Sequence, residues 1–231
     1  MRLHNFFIDQ KIGDESLVVI SDSDLIHQWR HVFRFNTGST IVLFDDSGFE
    51  FTAQFMSLTY LKAELVIQEK RKNKFHPKKE IFLFQAIIKP DKFEWILEKG
   101  AELGVSHFLP VVANRSIARK LNLKRAQKII KESAEQSGRG LLPKISEPLE
   151  LSEVFSKDEI PFIAFDPSGS TFDYKDFETK PTLGILIGPE GGWNEQELEL
   201  MREKKVSIVS LGTQILRAET AAIAVSALLL L

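Results

Sequence analysis

Hydrophobic and polar positions follow two different rhythms along the chain, and the change falls near residue 72. Before it, apolar or alternating runs at residues 17–20, 40–44 and 50–55 predict short β-strands. Asn36-Thr37-Gly38 and Asp45-Asp46-Ser47-Gly48 supply turn chemistry between them. One helix is expected over residues 24–32, capped by Ser23 or Asp24. This is the pattern of a small β-barrel, a common RNA-binding module. After the change, residues 81–88 form a near-continuous apolar run, as in a parallel strand buried on both faces. The helix that follows opens on Asp91 with Glu94 three residues on, a capping box, and Phe93, Ile96, Leu97, Gly100 and Ala101 share one face. Strands are predicted at 107–112, 162–165, 183–187 and 206–211, and helices near 123–135, 195–204 and 219–230. Strands alternating with helices predict an α/β domain with a parallel sheet. The division is therefore 1–72 and 73–231.

Composition narrows the function classes. The 231 residues include 43% hydrophobic and 27% charged positions, an ordinary globular balance. The absence of cysteine excludes disulfides, thiolate catalysis, Fe–S clusters and Cys-ligated zinc. The five histidines show no metal-ligand spacing, so no metal is expected. No G-x-S-x-G elbow is present, which disfavours a serine hydrolase. The apolar stretch 221–231 falls short of the ~20 residues that a spanning helix needs. The first residues are too polar and too short for a signal peptide, and a cytoplasmic location is expected.

The net charge of -2 means that any polyanion site must come from local clustering. Residues 70–79 hold six Lys or Arg and no acid, which suits a solvated linker better than an RNA-contact loop. Residues 115–131 hold seven basic residues and no acid. Lys120, Lys124, Lys128 and Lys131 fall at helical spacing, either as a solvated face or as a phosphate-binding one.

Two loops carry the candidate chemistry. Gly188-Pro189-Glu190-Gly191-Gly192-Trp193 directly follows a predicted strand, and Asn194 with Glu197 forms a capping box behind it. Ligands of open α/β sheets bind outside the carboxyl ends of the strands. The spacing fits neither G-x-G-x-x-G nor a Walker loop, so a small ligand held by backbone amides is favoured over a dinucleotide. The next strand ends in Leu211-Gly212-Thr213-Gln214-Ile215-Leu216-Arg217-Ala218-Glu219-Thr220-Ala221, repeating the arrangement. Arg217 and Glu219 form either an ion pair at a helix start or a catalytic pair.

Together these segments resemble the RsmE family, 16S ribosomal RNA (uridine-N3)-methyltransferases of the SPOUT superfamily. The matching pieces are Met1-Arg2-Leu3-His4 with Phe6-Phe7, His31-Val32-Phe33-Arg34, residues 98–105, Arg115-Ser116, residues 134–139, residues 187–192 and residues 215–222. Asn5 stands where the family usually has arginine, and Gln214 where it commonly has a basic residue. The resemblance implies a PUA-like β-barrel at 1–72 and a SPOUT α/β domain at 73–231 with a C-terminal trefoil knot. It implies a cytoplasmic homodimer that binds S-adenosyl-L-methionine (SAM) through Leu186, Gly188, Pro189, Glu190, Gly191, Leu211, Gly212, Ile215, Leu216, Thr220 and Ala221. Arg217 and Glu219 would be catalytic, and Arg2, Arg34, Lys89, Arg115, Lys124 and Arg139 would contact RNA. The substrate would be one uridine near the decoding site of assembled small subunits. The alternatives are a non-catalytic ribosome-assembly protein and a SPOUT methyltransferase acting on tRNA or on ribose 2'-OH.

Overall fold

A computed structural model describes residues 3–75, 77–117, 120–155 and 160–231. Two compact units divide the chain: Met1–Phe75 with Ala134–Leu141, and His76–Ser133 with Leu142–Leu231. Residues 134–141 thus join the first unit, although a linear division at 72 puts them in the second.

The first unit is built on a five-stranded sheet in the order β1-β3-β4-β5-β2. Its strands are β1 (Asn5–Phe7), β2 (Leu17–Ile20), β3 (Thr40–Phe44), β4 (Phe49–Leu58) and β5 (Ala63–Lys72). β1 runs parallel to β3 and the other pairs are antiparallel. Trp29, Phe6, Phe51 and Phe55 are buried at its centre. β1 and β5 were not evident in the sequence. Three residues are too few for a period, and charge disguises the end of β5. The basic run is therefore not all linker. Lys70–Lys72 pair with Phe49–Phe51, Lys70 Nζ lies 2.6 Å from Asp14, and Arg71 bonds Glu50.

The helix of this unit also departs from expectation. α1 (Ser23–His27) is capped by Asp22, whose carboxylate accepts from the Asp24 and Leu25 N–H groups at 2.9 and 3.0 Å. It then widens into a π-turn at Gln28–Val32, closed by Phe33 N donating to Gln28 O. The wider turn lets Trp29 meet Phe6 edge-on, while Phe33 and Phe35 stack on each other at 5.3 Å.

In the second unit every strand pairing is parallel, in the order β12-β10-β11-β6-β7-β8. The strands are β6 (Glu80–Ala86), β7 (His107–Val112), β8 (Lys144–Ile145), β9 (Leu149–Glu150, also beside β7), β10 (Phe162–Thr171), β11 (Thr182–Ile187) and β12 (Ser207–Ser210). Along β6 the side chains alternate between two cores: Ile81 and Leu83 enter one, Phe84 and Ala86 the other. The first core is completed by α2 (Pro90–Leu103), the start of α3 (Leu123–Ser137) and α6 (Ala218–Leu230). The second core is completed by α4 (Leu151–Val154) and α5 (Glu195–Glu203). The expected α/β class is thus realised.

The capping box at α2 is not formed. Pro90 at the first helical position makes Lys89 the N-cap, and no side chain caps it. Glu94 instead reaches Arg125, whose Nη2 donates to it at 2.7 Å. The Asn194–Glu197 box at α5 does form.

Candidate active site

Strands β10, β11 and β12 lie side by side, and a cleft of about 380 Å³ opens where their carboxyl ends meet. Three loops line it. The loop after β11 contributes Gly188, Pro189, Glu190, Gly191, Gly192 and Trp193. The loop after β12 contributes Leu211, Gln214, Ile215 and Leu216, and the start of α6 adds Arg217, Ala218 and Ala221. An irregular part of β10 supplies Phe165, Asp166 and Pro167.

The glycines have separate jobs. Gly192 has φ +69° and closes a turn by donating to Pro189 O at 2.9 Å. A Cβ at Gly188 would sit 3.2 Å from the Trp193 ring, and one at Gly191 would sit 3.2 Å from the Arg115 stem. Gly188 keeps the loop thin against the buried Trp193, and Gly191 against the exposed Arg115. Arg115 holds it there, its Nη1 donating to Gly191 O at 2.7 Å. Glu197 braces the same corner by accepting from Asn114 N at 2.8 Å and Asn194 N at 2.7 Å. Trp193 is only 4% exposed, and its indole N–H meets no acceptor among the described residues. A buried, unspent donor beside a cleft suits a polar ligand.

Of the residues expected to bind the cofactor, Gly188, Pro189, Glu190, Gly191, Leu211, Ile215, Leu216 and Ala221 line this cleft. Leu186 does not, because its side chain is fully buried in the core around α4 and α5. Gly212, at φ +130°, shapes the β12 loop without lining the cleft, and Thr220 is exposed outside the lining. The two catalytic candidates part company. Arg217 is the exposed N-cap of α6 at the cleft rim. Glu219 is 4% exposed, lies outside the lining and points to Lys92 on α2, with 3.6 Å between Lys92 Nζ and its Oε1. The expected Arg217–Glu219 pair is thus replaced by Lys92–Glu219, because successive side chains at the start of a helix diverge.

Sequence reasoning missed Asp166, Pro167, Trp193 and Gln214. Asp166-Pro167-Ser168-Gly169 is turn chemistry at the end of an apolar run, the signal that marked the other two loops. It was obscured because β10 resumes beyond it, pairing Ser170 and Thr171 with Val209 and Ser210. Gly169 allows that return, since a Cβ there would lie 2.5 Å from the Val209 backbone.

The expected RNA contacts are scattered. Lys89 and Lys124 are exposed on the second unit and Arg34 on the first. Lys120 precedes α3, and Lys128 approaches Glu132 at 3.9 Å, so the lysine row is partly spent within the helix. Arg139 is only 3% exposed, which removes it as a direct RNA contact. Burial lowers its pKa to about 10, opposed by Asp46, and its guanidinium stands 5.8 Å from the Phe75 ring centre. It braces the segment 134–141. That segment is also held by Asn5, whose amide donates to Glu135 O at 2.7 Å, and by Asn73, which donates to Gly138 O at 2.9 Å. Asn5 is therefore a structural clamp. Arg2 lies outside the described residues.

Residues 76–230 match the model of the RNA methyltransferase domain. The Bacillus subtilis (strain 168) ribosomal RNA small subunit methyltransferase E is 31% identical, covering 95% of this chain and 93% of its own length. Its Rickettsia conorii counterpart is 27% identical over 96% of this chain and 93% of its own length. A crystal structure of the Neisseria gonorrhoeae ribosomal RNA small subunit methyltransferase E bound to S-adenosyl methionine superposes with a TM-score of 0.91. That match is 28% identical and covers 98% of this chain and 96% of the other. A Legionella pneumophila methyltransferase with bound SAM gives 0.90 at 26% identity, covering 99% and 97%. The parallel sheet, its three-loop cleft and these matches along nearly the whole length agree, and the chain belongs to the RNA methyltransferase family that includes the ribosomal RNA small subunit methyltransferases E.

Proposed function

We propose that the chain is a SAM-dependent methyltransferase acting on N3 of a uridine in 16S ribosomal RNA near the decoding site, in assembled 30S subunits. The observation that carries this is the convergence of three strand-end loops on one cleft with Arg217 at its rim. The cleft fits the cofactor: it offers apolar walls from Leu211 and Leu216, close backbone approach at Gly188 and Gly191, and the unspent Trp193 N–H. When bound, SAM supplies an electrophilic methyl group on a sulfonium.

The chain's own residues must do the rest. Uridine N3 carries a proton, which must leave to water or a base before its electron pair could accept a methyl group, the sulfonium then departing as a neutral thioether. Arg217 can face the negative charge that develops on the imide and hold the base in line. Glu219, turned to Lys92, anchors α6 and is not placed to accept that proton. Arg34, Lys89, Arg115 and Lys124, with Arg2, supply cations for the RNA backbone.

A C-terminal trefoil knot and a homodimer belong to the same proposal. The apolar side chains of Trp95 on α2 and Leu228 on α6, 46% and 50% exposed, are available to a second copy. No helix among the described residues is long and apolar enough to cross a membrane. A ribosomal substrate supports a cytoplasmic location.

The test maps modified bases in 16S rRNA from a deletion strain, with calorimetry of SAM binding to the purified protein. Loss of one N3-methyluridine, restored by the wild-type chain, supports the proposal. SAM binding with an unchanged rRNA map would move the substrate to tRNA or a ribose hydroxyl. No SAM binding at all would favour a non-catalytic assembly protein.

A further inference from the structure

A second cavity, of about 260 Å³, lies within the first unit. It is lined by Arg30, Arg34, Phe35, Asn36, Thr37 and Leu58, with no carboxylate among them. Two backbone irregularities build it. Arg30 sits in the π-turn, and such widened turns recur at functional sites. Arg34 has φ +56°, a left-handed conformation that arginine adopts only under strain.

Glycine would serve that backbone position without the Cβ penalty, so the turn itself does not require an arginine side chain. Arg34 is exposed, and its guanidinium has no ion-pair partner among the described residues. The left-handed turn closes the helix end, with Phe35 N donating to Trp29 O at 2.9 Å, and it leaves the Arg34 side chain exposed.

Arg30 is held more firmly. Its Nη1 donates to Leu58 O at 2.9 Å, and its guanidinium lies 3.7 Å from the centre of the Tyr60 ring. Tyr60 is nevertheless 74% exposed, so the ring offers open aromatic surface beside the cationic cup. Two arginines without a local acid suit a phosphate, and an adjacent open aromatic suits a base. In a duplex the bases are stacked on each other and cannot reach such a ring.

We infer that this cup binds one unpaired nucleotide of the RNA, with Arg30 and Arg34 on its phosphate and Tyr60 under its base. The inference rests on the proposal that the chain acts on RNA. It adds a recognition site on the first unit and a substrate class, a single-stranded segment.

The probe is a fluorescent single-stranded uridine pentanucleotide, followed by anisotropy over a range of salt, with a hairpin of duplex RNA as competitor. Arg34→Gly keeps the backbone conformation and removes the cation. It should weaken binding and reduce the salt slope by about 0.7, the value for one lost contact to a single-strand phosphate. Tyr60→Ala, at an exposed position, should weaken binding by roughly ten-fold or more with the salt slope unchanged. Arg30→Lys keeps the charge but loses the planar stack, and should behave like Tyr60→Ala. The inference is overturned if Arg34→Gly leaves the slope unaltered, if Tyr60→Ala binds normally, or if duplex RNA or polyglutamate competes as well as single-stranded RNA. SAM affinity and methylation of 30S subunits by the wild-type chain are measured in parallel. Normal methylation with unaffected variants would sink the cup alone, whereas absent methylation would sink the proposed function.

Discussion

The two units bring arginines to a cavity by opposite local means. In the second, three neighbouring strands end at one cleft, and Arg217 is delivered as the N-cap of α6 at the far end of the loop that follows β12. In the first, Arg30 and Arg34 are aimed by a π-turn and a left-handed residue, both departures from regular structure. A parallel sheet concentrates chemistry at one edge by topology. The mixed sheet of the first unit gathers no such set of strand ends, and its cavity is shaped instead by these two local departures.

Arg217→Ala should have the largest effect on chemistry and therefore tests the sheet-edge half of that contrast. Loss of an electrostatic contact made in the transition state costs ~2.7–4 kcal/mol, roughly a hundred- to a thousand-fold in turnover. SAM affinity by calorimetry should stay near wild type, because the lost contact is to the base. Turnover within a few-fold of wild type would return Arg217 to a surface helix cap.

Glycines sharpen the same contrast, since a crowded one acts on stability and an accommodating one on the ligand. Gly169→Ala would press a Cβ against the Val209 backbone at 2.5 Å, where nothing flexible can yield. Overpacking of this kind costs ~1–3 kcal/mol. The melting temperature should fall by ~2–4 °C for each kcal/mol in a chain of this size. Gly191→Ala would meet only the Arg115 stem at 3.2 Å, a side chain that can shift. Its melting temperature should hold while SAM affinity drops. A large fall in stability for Gly191→Ala would make that loop a structural turn first.

How much of this was legible follows from the same physics. The parallel strands read well because burial on both faces leaves unbroken apolar runs, and His107–Val112 stands where its run predicted. The glycine loop and the Arg217 segment were visible because each directly follows such a run. β5 was hidden because its exposed end carries Lys70, Arg71 and Lys72, the first two of which pair with Asp14 and Glu50. Arg139 was misjudged because sequence shows charge but not burial. Arg30 passed unnoticed because neither a π-turn nor a stack on Tyr60 leaves a period. Glu219 looked like a partner for Arg217 because sequence proximity hides the divergence of side chains around a helix.

Arg139 and Lys124 give a middle-sized test, in which burial rather than charge decides the outcome. Lys124→Gln should reduce the salt slope of RNA binding by ~0.7–0.9, as expected for one exposed cation. Arg139→Gln should leave the slope unchanged yet lower stability by ~1–3 kcal/mol, because it disturbs buried polar groups. A slope that falls with Arg139→Gln at native stability would show that the side chain swings out to reach RNA.

The smallest effect is expected at the Glu94–Arg125 pair, which stands where a helix cap was expected. The Arg125 guanidinium holds the Glu94 carboxyl below the usual carboxylate range, mainly through its hydrogen bond. In the unfolded chain Glu94 takes up its proton at the ordinary value, so as the pH falls the unfolded state gains that proton first. The contribution of the pair is therefore fully present above the ordinary carboxylate pKa and is lost as the pH falls through the lowered folded value. Arg125 is exposed, so solvent screens the pair and keeps the effect modest. Chemical denaturation from pH 7 to pH 3 should show wild type slightly more stable than Glu94→Gln at neutral pH, with the two curves converging in acid. If Glu94 instead supports the helix start through the dipole of α2, Glu94→Gln with Arg125→Gln would lose more than Arg125→Gln alone at neutral pH. Equal losses in the double and single variants would confine its role to the ion pair.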